Sequence, residues 1–230
     1  MSNIQQIQLF DGLSLSQIRH VTSFMRKITF KRGEFIFLTG ESADNLYILQ
    51  RGLVKIYYIT ADGDERIIDF REDGNIFGEL FLGRYRHRVG FAQALTDCTI
   101  YKLSEQCLFD LSKSYPQINY NFIIHLVDSQ REAFARMHAL SRSDAKLRLL
   151  GLLAVLARSI CCSIGNEFRL HPMITQADLA NMAGLNRSTV SSLINEGRRE
   201  GILSGTRRKI IVHVSQIEAI LNYHGREVLV

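Results

Sequence analysis

Hydrophobic and polar positions change rhythm twice along the chain. From Ile28 to Leu103, short runs of β-branched and aromatic residues alternate with glycine-containing turns. Glu34 to Leu38, Leu46 to Leu49, Val54 to Ile59 and Arg66 to Phe70 are such runs, punctuated by Gly33, Gly40, Gly52, Gly63, Gly74 and Gly78. Ala61-Asp62-Gly63-Asp64 is a hairpin signal, because Asp-Gly accepts the positive φ of a tight turn. Many short strands at this spacing predict a sandwich or barrel of jelly-roll type.

The rhythm becomes helical after Pro116. Ile123, Leu126, Gln130, Ala133, Met137 and Leu140 follow a 3-4-3-4-3 spacing, the apolar seam of a coiled coil. One long helix carrying that seam, with a single polar Gln130 inside it, points to a parallel dimer. Asp144 then reads as the N-cap of a second helix, residues 145–159. A third section follows Pro172. Thr175 can cap a short helix with Leu179 and Met182 inward, Ala183-Gly184-Leu185 makes a turn, and Asn186 can cap a further helix that buries Val190, Leu193 and Ile194. That order is a helix-turn-helix. Ile202-Leu203, Gly205-Thr206 and the run from Lys209 to Val212 add a β-hairpin wing.

Composition narrows the class. The chain has 230 residues, of which 46% are hydrophobic and 22% charged, so a packed core is available and a disordered chain is excluded. The longest uncharged apolar run, Leu149 to Ala157, is well short of the ~20 residues a membrane-spanning helix needs. Met1 to Gly12 has neither the basic start nor the apolar stretch of a secretory signal, and a cytoplasmic location is expected. Charge is uneven. Residues 1–144 hold 17 basic and 17 acidic residues, so the whole net charge of +5 lies in residues 145–230, with 28 − 17 = 11 basic and 23 − 17 = 6 acidic. A basic last third beside a neutral remainder is the footprint of a polyanion-binding unit. Cys98, Cys107, Cys161 and Cys162 show no metal-ligand spacing, and free thiols are expected.

Several segments together resemble the Crp/Fnr transcription regulators. They are Lys31-Arg32-Gly33-Glu34 and Gly40-Glu41, Leu49-Gln50-Arg51-Gly52-Leu53-Val54, Gly74-Asn75-Ile76-Phe77-Gly78-Glu79-Leu80, the run from Ile174 to Ala180, and the run from Asn186 to Ser191. The resemblance spans about residues 10–213. It implies an α+β chain: an N-terminal cyclic-nucleotide-binding-type β jelly roll (1–115), a long dimerisation helix with its hinge (116–143) and a C-terminal winged helix-turn-helix (144–230). It also implies a homodimer on double-stranded, pseudo-palindromic DNA, acting with RNA polymerase, with an effector in the barrel re-setting the hinge near Ser141 to Asp144.

The second helix of the helix-turn-helix should enter the major groove with its N-terminal residues at base edges. Arg187 matches the family's recognition arginine and is the candidate for a bidentate guanine contact. Ser188, Ser192 and Asn195 complete the base-contact set. Where the family commonly has a glutamate and a second arginine, this chain has Ser188 and Ser192, so an altered operator is expected. Thr175, Gln176, Thr189, Arg207, Arg208 and Lys209 are expected at phosphates, whereas Arg198 and Arg199 read as a solvated helix end.

In cyclic-nucleotide members of the family, Gly-Glu-Leu opens a phosphate cassette, the glutamate holds the ribose and an Arg-Ser pair takes the phosphate. This chain keeps Gly78, Glu79 and Leu80, has Arg88 at the arginine and Val89 at the serine, and has Ala133 and Phe134 where the cyclic-AMP sensor places hydroxyl residues. Losing two hydrogen bonds at roughly 1–3 kcal/mol each predicts weak or no response to cyclic AMP. Iron–sulfur sensors carry an N-terminal cysteine cluster, and no cysteine precedes Cys98 here, so no such cluster is expected. Haem relatives use a histidine near the cassette. His87, between Arg86 and Arg88, is the residue that would serve, although a solvated loop position also suits it. His20, His125 and His138 fit surface or seam positions. No nucleotide-triphosphatase, metalloprotease or hydrolase motif occurs, and no enzyme activity is expected.

Overall fold

The structure is a computed structural model that describes residues 7–159, 161–164, 167–206 and 209–223. It divides into two compact units, Met1–Asp128 and Ser129–Val230.

The first unit opens with a 3₁₀ turn, Gln8–Phe10, and helix α1, Leu15–Ser23. Ser14 Oγ accepts from the Gln17 N–H, and Gln17 Oε1 accepts from the Ser14 N–H at 2.8 Å, a complete capping box. Eight strands follow: β1 (Arg26–Phe30), β2 (Phe35–Phe37), β3 (Asn45–Arg51), β4 (Leu53–Ile59), β5 (Glu65–Glu72), β6 (Ile76–Phe77), β7 (Phe91–Ala94) and β8 (Cys98–Ser104). They form two four-stranded sheets, β1-β8-β3-β6 and β2-β7-β4-β5, with every pairing antiparallel. This is the jelly roll that the strand spacing predicts. The β4–β5 turn is the Asp-Gly hairpin, closed by the Thr60 N–H donating to the Asp64 carbonyl at 2.9 Å.

Two apolar clusters fill the unit. One joins Phe37, Val54, Phe77, Ala92 and Ile100 inside the roll. The other packs Ile18 and Val21 of α1 against Leu46, Phe81 and helices α2 (Glu105–Ser114) and α3 (Pro116–Leu140). Pro116 opens α3, where its missing N–H costs nothing. The Asn121 side chain then pins the helix by donating to the carbonyls of Leu9 and Asp11. The α3 seam stays largely uncovered within one chain: Ile123, Leu126, Met137 and Leu140 are 51%, 38%, 65% and 38% exposed.

The second unit begins within α3 and continues through α4 (Ala145–Ser159), β9 (Cys161–Ile164), β10 (Glu167–Leu170), α5 (Gln176–Ala183), α6 (Arg187–Arg199), β11 (Leu203–Thr206), β12 (Lys209–Val212) and α7 (Val214–Tyr223). Asp144 caps α4, its Oδ1 accepting from the Leu147 N–H at 2.8 Å. Leu149, Leu152, Leu153 and Leu156 of α4 are buried, as are Ile217 and Leu221 of α7. The sequence reading gave the β11–β12 wing but neither its partners β10 and β9 nor helix α7; the sheet order is β11-β12-β10-β9. Arg207 and Arg208, expected at phosphates, and any role of the Cys161 and Cys162 side chains lie outside the described residues. No described helix is long and apolar enough to cross a membrane.

Candidate nucleic-acid interface and effector cassette

Helix α5 starts at Thr175, whose Oγ1 accepts from the Asp178 N–H at 3.1 Å while Asp178 Oδ2 accepts from the Thr175 N–H at 2.8 Å. It ends on Gly184, and the chain re-enters a helix at Asn186. Asn186 has the extended backbone of an N-cap, but its side chain makes no capping hydrogen bond, which departs from its expected role. The side chain therefore leaves the first-turn N–H groups of α6, at the positive end of the helix dipole, open to an anion. Val190 and Ile194 are buried, and Leu193, expected to join them, is half-buried.

On the other face of α6, Arg187, Ser188, Ser192 and Asn195 are all exposed. Among the described residues, three of them have no hydrogen-bonding side-chain partner. Asn195 is engaged, because its Oδ1 accepts from Arg198 Nη1 at 3.1 Å. The same guanidinium donates through Nη2 to the Thr206 carbonyl at 2.8 Å, so Arg198 is not the solvated helix end that its place beside Arg199 implied. It ties α6 to the wing. Sequence reasoning missed this because the acceptor is a backbone carbonyl that only the hairpin brings close. Thr175 and Lys209 are exposed, Gln176 and Thr189 half-buried. At the base of the motif, Lys146 Nζ donates to Glu196 at 2.8 Å and Glu200 at 2.7 Å. Those two hydrogen bonds hold the Lys146 amine above its usual range.

In the first unit, Gly78 has φ 89° and opens the 3₁₀ turn Glu79–Leu82. A Cβ there would lie 3.0 Å from Arg88 Nη1 and from the Tyr47 ring, so glycine is required by both backbone and space. Arg88 is only 3% exposed. Its Nη1 donates to the Gly78 carbonyl at 2.9 Å and its Nη2 to the Asn45 carbonyl at 2.6 Å. The guanidinium also lies 4.5 Å from the centre of the Phe37 ring, a cation–π contact. Leu80 and Val89 are exposed, as are Ala133 and Phe134 on α3 in the second unit.

The polar partner of Glu79 comes from α3. Its Oε1 lies 2.8 Å from Nε2 of His125, a residue 6% exposed. Burial pushes the Glu79 carboxyl up, but the His125 hydrogen bond and the Arg71 charge pull it below the usual carboxylate range. Arg71 in turn pairs with buried Asp69 at 2.8 Å. His125 is thus neither a surface nor a seam residue, contrary to its reading from sequence. It sits two residues after the seam position Ile123, and that offset was the available signal. His87 is exposed, with Nδ1 3.3 Å from the Gly40 carbonyl. Its neighbour Arg86 is held by Glu105 at 2.7 and 3.0 Å, and Arg88 is buried, so neither arginine is placed to meet haem propionates.

Comparison with known proteins bears on both regions. Residues 27–115 match the cyclic nucleotide-binding domain and residues 147–220 the Crp-like helix-turn-helix domain. The chain is 29% identical over 205 residues to the fumarate and nitrate reduction regulatory protein of Salmonella typhi, covering 88% of this chain and 81% of that protein. The Escherichia coli K12 protein of the same name is 28% identical over the same shares. The chain belongs to the Crp/Fnr family of transcription regulators. Two solved structures share the fold of this Crp/Fnr chain. CooA from Carboxydothermus hydrogenoformans gives a TM-score of 0.73 at 22% identity, covering 94% of this chain and 99% of that one. FixK2 from Bradyrhizobium japonicum gives 0.72 at 21%, covering 85% and 96%.

Proposed function

We propose that this Crp/Fnr chain is a cytoplasmic homodimeric regulator that reads a pseudo-palindromic operator through α6 and answers to a barrel effector other than cyclic AMP. We divide it as 1–115 sensor, 116–143 dimerisation helix and 144–230 DNA reader. Arg187, Ser188 and Ser192 reach base edges, and the wing with Lys209 meets phosphates. The exposed α3 seam supports the dimer, since several uncovered apolar side chains in one helical stripe gain most by pairing with a second copy.

The observation that carries the effector reading is that both polar handles of the cassette are used inside the chain. Arg88 donates one N–H from each terminal nitrogen to a backbone carbonyl, and Glu79 pairs with His125 through Oε1. A cyclic nucleotide would have to compete with both sets for the guanidinium and the carboxylate. His125 lies on α3, so an effector that displaces Glu79 from His125 acts directly on the helix that leads to Ser141 and Asp144. Differential contact of this kind is what a population shift needs.

Calorimetric titration of the purified protein with cyclic AMP tests this. No heat at micromolar ligand is expected. Micromolar binding would mean that Arg88 and Glu79 re-pair readily, and the chain would be a cyclic-AMP sensor with an altered operator.

A further inference from the structure

Within the second unit, the last turns of α3 lie beside α4 and α7 around a cleft of about 170 Å³. Its floor is made of small and apolar groups: Ala135, Ala139, Gly151, Ala154 and Leu221. Its charged lining is unbalanced. Arg158 is paired with Glu218, and Glu132 with Arg136 at 3.5 Å. Among the described residues, Arg131 and Arg142, which also line the cleft, have no carboxylate partner. Arg142 Nε is buried without any hydrogen-bond acceptor. That nitrogen lies 3.9 Å from where a Cβ on Gly151 would stand, so it faces the floor. A buried guanidinium N–H with no acceptor is a cost that an incoming anion recovers.

We infer that this cleft is a binding site for a small amphipathic carboxylate, its apolar body on the alanine–glycine floor and its carboxylate on Arg142 and Arg131. A dry cavity of about 150 Å³ accommodates a benzene-sized molecule, so a body of about six carbons fits. The site is distinct from the cassette, none of whose residues line it. It is also distinct from the seam. Arg131, Ala135 and His138 recur at i, i+4 and i+7, and at about 100° per residue that stripe is on the opposite side of α3 from Gln130, Ala133, Met137 and Leu140. A two-helix seam leaves the cleft open, and the inference holds whatever effector the barrel takes.

The test is calorimetry on the full chain with two probes that share one rigid body, cyclohexanecarboxylate and the neutral cyclohexylmethanol. One carboxylate is expected to bind per chain, with the alcohol at least about tenfold weaker, since charge-assisted hydrogen bonds are roughly twice as strong as neutral ones. Arg142→Gln should weaken the carboxylate at least about tenfold and leave the alcohol unchanged. Ala135→Leu should block both by filling the floor. Circular dichroism checks that each variant is folded, and should either fail, Arg131→Gln at an exposed position gives the same reading with a smaller loss. Equal binding of the two probes, unchanged binding in Arg142→Gln and Arg131→Gln, or no heat at millimolar carboxylate would each overturn the assignment.

Discussion

Glu72 at the end of β5 has its carboxyl pushed up to about 7, by burial first and by the neighbouring Asp73 charge second. The folded state therefore holds a proton that the unfolded state releases near pH 4.5. Between those two values the unfolded chain binds fewer protons, so stability falls as pH rises from about 4.5 to about 7 and stays low above it. Glu72→Gln should remove this loss. Scanning calorimetry at pH 8 is expected to show a higher melting temperature for the variant, by up to about 3 kcal/mol in stability at about 1.4 kcal/mol per unit, and little difference at pH 4. An equal gain at both pH values would assign the effect to packing instead. Arg187 makes a second residue-scale prediction. Arg187→Ala should relax preference at one base position of each half-site, costing about 1–3 kcal/mol against the best sequence. Selection from a randomised operator reads this, and an unchanged preference would remove the residue from the base-contact set. Arg187 sits where the sequence put it, on the outward face of the second helix of the motif, whereas the strand read as Arg66 to Phe70 runs on to Glu72. Burial, which depends on neighbours remote in the chain, is the larger cause of the Glu72 shift, and the charge of adjacent Asp73 the smaller.

At the level of elements, the wing is held by two devices. Gly205 has φ 85°, and a Cβ there would collide with the Lys209 carbonyl. Arg198 reaches from α6 to the Thr206 carbonyl while holding Asn195. Arg198→Ala should release the hairpin tip, with faster amide exchange over β11 and β12. DNA affinity should fall by about tenfold, because hydrogen bonds to a charged group are worth about 1.5–3 kcal/mol. The log–log salt slope should drop by about one unit or less. Loss of base preference with an unchanged slope would instead place Arg198 at the bases. The helix-turn-helix itself was legible because caps, turn and apolar spacing are local signals that act within one turn. Helices α1, α2 and α7 and strands β9 and β10 were not read. The Ser14-x-x-Gln17 capping box did mark α1 locally, but the short β9 and β10 segments gain their stability from sheet neighbours far along the chain.

For the whole molecule, the proposed α3 seam makes the prediction about assembly. Met137, 65% exposed in the single chain, is one of the proposed seam positions, so Met137→Lys should leave the fold intact and place two like charges against each other in a dimer. Sedimentation is expected to show dimers for the wild type and monomers for the variant, with DNA affinity falling together with dimer content. Half-sites about 34 Å apart would then no longer be read by one particle. A monomeric wild type would refute the seam. Local pattern alone determined the jelly roll, the long helix with its seam, the winged helix-turn-helix and the basic last third, because strand alternation, helical spacing, capping residues and net charge are properties of short segments. Tertiary structure alone decided where side chains from distant segments meet. Glu79 faces His125, Arg88 faces two backbone carbonyls, Arg198 faces the wing and Arg142 faces an apolar floor, since each partnership depends on how separate elements pack and on which polar groups that packing removes from water.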